Sequence, residues 1–148
     1  MHRSRIILAV CALTLIFTAV ACSSGPSDPA SYRTAMKGVA PALTKLEMTT
    51  RDASTAGDPM QLSSALGKTV SSAKSFHSVV QKVEVSEPSL SGLHQDLLSA
   101  ASGHLAALEE AAAGAKATPI PETKGLMNDS TETFLAAVQA WNDALDAL

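Results

Sequence analysis

Apolar side chains recur at steps of three and four residues along four segments of the chain. Because an α-helix turns about 100° per residue, this spacing places each set on one helical face. The sets are Tyr32, Met36, Val39, Leu43 and Leu46; Leu62, Leu66, Ala73, Phe76, Val80 and Val83; Leu90, Leu93, Leu97, Ala101, Leu105, Leu108 and Ala112; and Phe134, Val138, Trp141, Leu145 and Leu148. The pattern predicts an all-α fold, an antiparallel up-down four-helix bundle over residues 29–148.

Three of these segments begin with an acidic residue followed by proline: Asp28-Pro29, Asp58-Pro59 and Glu87-Pro88. A carboxylate there accepts hydrogen bonds from free N–H groups of the first turn, and proline in that turn loses no bond. The pairs therefore predict helix starts at residues 29, 59 and 88. The fourth segment has two candidate starts, at Pro121 or at Asp129.

Proline and glycine predict where the helical pattern is interrupted. Pro41 lies inside the first segment, three residues after Gly38. Proline removes one backbone hydrogen bond and crowds the preceding turn, so we expect a kink or break over residues 37–40. Gly114 is expected to end the third helix.

The N-terminus has the character of a secretory signal. Arg3 and Arg5 precede an uncharged apolar run over residues 6–21, which is 16 residues long. A membrane-spanning helix needs about 20 residues, whereas a basic start, a short apolar run and small residues at its end are typical of a signal peptide.

The end of this run, Ala19-Val20-Ala21-Cys22, resembles the lipobox of bacterial lipoproteins, although that family usually has leucine where this chain has Ala19. The resemblance implies that a diacylglyceryl group is attached to the Cys22 thiol. It also implies cleavage before Cys22, acylation of the new amino terminus and attachment to the cell membrane on its extracytoplasmic face. An ordinary signal peptide cut before Cys22 and an uncleaved anchor are the alternatives.

Cleavage before Cys22 leaves 127 of the 148 residues, which suits one domain with one core. Residues 22–28 are expected to form the lipidated cysteine and a short polar tether. Loss of Arg3 and Arg5 leaves 9 basic and 14 acidic side chains, a formal charge of −5 with neutral histidines. This acidic chain has no basic block, so we expect no nucleic-acid partner.

The mature chain has few candidates for chemistry. It contains none of the motifs HExxH, GxSxG or CxxC and no phosphate-binding or dinucleotide-binding glycine loop. We therefore expect a protein that is not an enzyme and has no cofactor. Trp141 and the methionines at positions 36, 48, 60 and 127 either fill the core or line a ligand pocket.

Histidines are the titratable residues that fall on apolar faces. His94 and His104 lie in the leucine stripe of the third segment, and His77 borders the stripe of the second. If the second and third helices form a hairpin, His77 and His94 reach the same height, where the fourth helix would present Trp141, Asn142 or Asp143. Either these are hydrogen-bonded core histidines, or His77, His94 and Asp143 form a ligand-binding or pH-sensing site. His94 and His104 are about 15 Å apart along a helix and cannot share a metal, so we expect no metal site.

These features favour a membrane-anchored, extracytoplasmic lipoprotein. Its helical bundle is expected to bind a partner protein or a component of the cell envelope without catalysis. The alternative is a sensing module that holds a small ligand or a metal between its helices.

Overall fold

The computed structural model describes residues 25–148, and within this range all regular structure is α-helical. The helices are α1 (Pro29–Lys37), α2 (Ala40–Thr55), α3 (Pro59–Gln81), α4 (Pro88–Gly114) and α5 (Ile120–Asp146). The all-α class is therefore confirmed. The predicted signal peptide and the lipobox-like sequence, including Cys22, lie outside the described residues.

The three acidic–proline pairs begin helices where the sequence predicts them. Asp28, Asp58 and Glu87 are the N-caps of α1, α3 and α4, with proline as the first helical residue. Each carboxylate accepts backbone N–H groups of the first turn at 2.8–3.0 Å. Hydrogen bonds from Ser31, and to a smaller extent from Ala30, lower the pKa of the Asp28 carboxyl.

The predicted interruption of the first segment is a break of two residues. α1 ends at Lys37, Gly38 and Val39 form a turn, and α2 begins at Ala40 with Pro41 in its first turn. Because proline has no N–H group, it is tolerated in a first turn and not in a helix interior. The segment expected to form one helix is therefore two.

The last helix begins earlier than either candidate start. α5 starts at Ile120, follows Pro119 without a side-chain cap, and continues through Asp129. The start at Asp129 is wrong, and the start at Pro121 is one residue late. The predicted end of α4 at Gly114 is confirmed.

The apolar stripes meet in one core. Among its fully buried side chains are Tyr32, Leu62, Leu66, Leu90, Leu108 and Met127. Helices that follow one another from α2 to α5 pack together, whereas α2 and α5 touch only over a short stretch. Between α2 and α5 this leaves an open side.

Polar contacts show which helix ends lie together. Arg33 of α1 donates to the Leu145 carbonyl at 2.8 Å and pairs with Asp146 at 2.8 Å, so the start of α1 meets the end of α5. Lys124 of α5 donates to the Ser54 and Ala56 carbonyls at 2.8 and 2.7 Å. The start of α5 therefore meets the end of α2. Over the range 25–148, no helix has the length and apolarity needed to cross a membrane.

Candidate functional site

His94 is buried in a hydrogen-bonded group at the start of α4, here called the His94 cluster and formed by Tyr32, His94 and Trp141. Its Nδ1 lies 3.0 Å from the Tyr32 hydroxyl, and Trp141 Nε1 donates to that same hydroxyl at 3.3 Å. The His94 and Trp141 rings each pack edge to face against the Tyr32 ring, with their centroids about 6 Å from its centroid. The cluster ties α1, α4 and α5 together.

The surroundings of the His94 cluster favour its neutral forms. Burial lowers the pKa of His94, and a hydrogen bond to the Val80 backbone opposes this effect. Burial likewise raises the pKa of Tyr32. When neutral, the ring can accept the Tyr32 proton at Nδ1, so this contact involves no charged group.

The surroundings of His94 agree only in part with those expected from the sequence. The expected neighbours were His77 and one of Trp141, Asn142 and Asp143; Trp141 does belong to the group, but the residue bonded to the ring is Tyr32. His77 is partly exposed on α3, and Asp143 is exposed and accepts from Gln139 at 2.7 Å. Tyr32 of α1 occupies the place beside His94.

A second buried histidine lies further along α4, in the His104 cluster of His104, Ser130 and Phe134. The imidazole stacks on the Phe134 ring with a centroid distance of 4.8 Å and an interplanar angle of 5°. Its Nδ1 lies 3.2 Å from Ser130 Oγ, and that hydroxyl donates to the Met127 carbonyl at 3.0 Å. His104 therefore donates from Nδ1 when neutral, because the serine proton is already committed.

Burial dominates the acid–base behaviour of His104. Loss of solvation lowers its pKa to about 4, and the contact with Ser130 opposes this effect only in part. Only 4% of the side chain is exposed. The ring is therefore neutral at physiological pH.

The contact between Ser130 and His104 resembles a nucleophile and its base, but its geometry does not support that role. A general base works best with a pKa near the operating pH, and this imidazole is far below it. The serine proton points to Met127, and among the hydrogen bonds of residues 25–148 no carboxylate orients the ring. The pair is best explained as a satisfied polar contact in the core.

The open side between α2 and α5 is a groove of about 390 Å³, here called the α2–α5 groove. Its lining residues are Leu46, Glu47, Thr50, Arg51, Ser54, His104, Asn128, Thr131, Phe134 and Leu135. Leu46 and Phe134 form a buried apolar floor, and Leu135 is 43% exposed beside it. Glu47, Arg51 and Asn128 are exposed along the rim. Such a surface suits an apolar group flanked by polar or charged ones.

A second cleft, of about 480 Å³, lies on the other side of the His104 cluster between α4 and α5. His104, Ser130 and Phe134 line it together with Leu126, which is 37% exposed. The stacked His104 and Phe134 rings thus separate two clefts, and each cleft has a partly exposed leucine at its edge.

The tryptophan and the methionines do not all share one environment. Met36 and Trp141 line a smaller space of about 200 Å³ near the break between α1 and α2. Met127 is fully buried, whereas Met48 and Met60 are 63% and 83% exposed. They do not line one common pocket.

Within the described part of the chain, no three side chains among His, Cys, Asp and Glu are grouped so as to hold a metal ion. Comparisons with protein-family models, curated proteins and solved structures gave no match.

The groove and the His104 cluster are the parts of the site that sequence reasoning missed. The position of His104 in the leucine stripe indicated that it would be buried, but nothing in the sequence paired it with Ser130 or Phe134. Ser130 and Phe134 lie four residues apart, which places them on one face of a helix. That spacing was the available signal.

Proposed function

We propose that this chain is an extracytoplasmic lipoprotein, held in the cell membrane by lipid attached to Cys22. The support is the sequence Ala19-Val20-Ala21-Cys22 at the end of an uncharged apolar run. Two or more acyl chains on one residue anchor a protein stably, whereas a single chain gives only marginal binding. Residues 1–21 are then the signal peptide and are removed.

The mature domain, in this proposal, is an antiparallel up-down four-helix bundle in which α1 and α2 together take the place of the first helix. The order of helix contacts from α2 to α5 supports it. So do the contacts of Arg33 and Lys124, which bring helix starts and helix ends together at both extremes of the fold.

The domain binds a partner protein or envelope component without catalysing a reaction, and the α2–α5 groove carries this proposal. The groove has an apolar floor at Leu46 and Phe134 and a charged rim at Glu47 and Arg51. A partner segment that places an apolar side chain on Phe134 and polar groups on the rim would match this surface.

A small ligand is the second candidate occupant. The volume of the groove falls within the range of about 300–1,000 Å³ typical of small-molecule sites. Arg51 would pair with an anionic group of such a ligand, with its apolar part against Phe134.

Replacing the lipidated residue tests the anchor. We expect wild-type protein to enter the detergent phase in a Triton X-114 partition and Cys22→Ala to remain in the aqueous phase, because the thiol is the attachment point. Ser24→Ala is the matched control and should partition like wild type. If Cys22→Ala also enters the detergent phase and still incorporates a labelled fatty acid, the lipoprotein proposal is wrong.

A further inference from the structure

Gly25 and Pro26 belong to the expected tether and are the first residues that the structure describes. Both are docked on the turn between α3 and α4. The Ser86 hydroxyl, in the turn between α3 and α4, donates to the Gly25 carbonyl at 3.0 Å. The Ser86 backbone N–H donates to the Pro26 carbonyl at 3.4 Å. A Cβ atom on Gly25 would lie 2.5 Å from the Glu84 carbonyl oxygen, a separation that real side chains do not adopt. Glycine is therefore required for this close approach.

The chain stays fixed as it continues from the docked residues into α1. Asp28 caps that helix through Ala30 and Ser31, and the Ser31 hydroxyl donates back to the same carboxylate at 2.7 Å. One turn further on, Tyr32 is fully buried against His94. The contacts of Gly25 and Pro26 and the burial of Tyr32 thus fix the position of the chain where it enters α1.

This docking identifies one extreme of the fold, here called the anchor end. It contains the start of α1, the turn between α3 and α4, and the end of α5, which Arg33 joins to α1. The opposite extreme, the distal end, contains the end of α2 and the start of α5, joined by Lys124, and the loop after α4. α4 runs between the two ends over 27 residues, about 40 Å.

We propose that the anchor end lies against the lipid headgroups and that the distal end projects away from the membrane. The inference rests on the lipidation of Cys22 proposed above. Cys22 precedes Gly25 by three residues, which span at most about 11 Å. The headgroup layer on each side of a bilayer is about 5–8 Å thick. A docked Gly25 therefore holds the turn between α3 and α4 at the bilayer surface.

The proposed orientation decides which way the α2–α5 groove faces. The α2–α5 groove lies in the distal half, because its lining includes Arg51 and Ser54 near the end of α2 and Asn128 near the start of α5. The groove then opens to the aqueous compartment, and its occupant arrives from water.

Two matched labels measure this orientation. Lys82, at the anchor end, and Lys116, in the loop after α4, are both exposed. Full-length Lys82→Cys and Lys116→Cys proteins would be extracted from bacterial membranes, labelled with a fluorophore at the new thiol and reconstituted in vesicles containing nitroxide-headgroup lipid. We expect the label at position 82 to be quenched severalfold more than the label at position 116.

Adding one methyl group at position 25 tests whether the orientation depends on the docking of Gly25. Gly25→Ala should reduce the difference between the two labels, because the new Cβ cannot approach the Glu84 carbonyl. Ser27→Ala, at an exposed neighbouring position, should leave the difference unchanged. Equal quenching at both positions, or stronger quenching at 116, in vesicle-bound protein would overturn the orientation and leave the lipid anchor intact. Protein that fails to bind vesicles, with Cys22→Ala behaving like wild type, would overturn both proposals.

Discussion

Lowering the pH from 7.5 to 5 should destabilise the domain by about 2 kcal/mol through His104 alone, given a shift from its ordinary value of 6.5 to about 4. The unfolded chain binds a proton on this ring below about pH 6.5, whereas the folded chain resists it until about pH 4. The stabilisation is therefore complete above about pH 6.5 and is lost as the pH falls towards 4. His94, whose pKa burial also lowers, contributes in the same direction.

Urea unfolding at the two pH values, followed by the fluorescence of the single tryptophan, Trp141, measures this loss. His104→Gln removes the titrating group and should reduce the acid-induced loss by about 2 kcal/mol. His77→Gln, at a partly exposed position on α3 outside the His104 cluster, is the control for the histidine-to-glutamine change itself. If His104→Gln and wild type lose the same free energy of unfolding, burial of a neutral His104 is not the cause of acid sensitivity.

Leu97→Ala should lower the free energy of unfolding by about 2–5 kcal/mol, the usual cost of truncating a buried leucine. Leu97 is 3% exposed on α4 and borders the small space lined by Met36 and Trp141. Truncation removes apolar contacts and enlarges that space, and rigid neighbouring helices can close it only in part. Urea titration of the chain from Ser23 onward measures the change.

Leu135→Ala is the control for this substitution. It removes the same atoms from a side chain that is 43% exposed, so its cost should be below about 0.5 kcal/mol. A loss of similar size for both variants, or a cost below about 0.5 kcal/mol for Leu97→Ala, would contradict the placement of Leu97 in the core.

Local chemistry made the helix starts predictable. Asp28, Asp58 and Glu87 each precede a proline, and both residues act through bonds within one turn. The break near Pro41 was predictable for the same reason, since a proline affects only the preceding turn. The same rules did not locate the start of α5, because the residue before it, Pro119, has no side-chain oxygen that could act as a cap.

The contacts between distant segments could not be predicted in this way. The pairing of Tyr32 with His94 joins residues 62 positions apart, and that of His104 with Ser130 joins residues 26 positions apart. Equal distances from a hairpin turn suggested that His77 and His94 would meet. That argument predicts the height of a residue along the bundle. It does not predict which neighbouring helix supplies the side chain beside His94, and that helix is α1, through Tyr32.

The α2–α5 groove depends on the distance between two helices that are far apart in the chain. Periodicity shows that Leu46 and Phe134 face inward, but it does not show how closely their helices approach. The groove was therefore visible only in the structure. Its exposed edge at Leu135 lies outside the predicted stripe of α5.

Binding in this groove is the central functional claim, and site-specific photo-cross-linking in intact cells tests it most directly. Benzoylphenylalanine would replace Leu135 at the groove or Met60, which is 83% exposed and outside the groove lining. We predict an adduct of raised mass from position 135 and not from position 60, and we predict that Arg51→Glu weakens it. The same adduct from both positions, or none at position 135, would contradict binding of a partner in the groove.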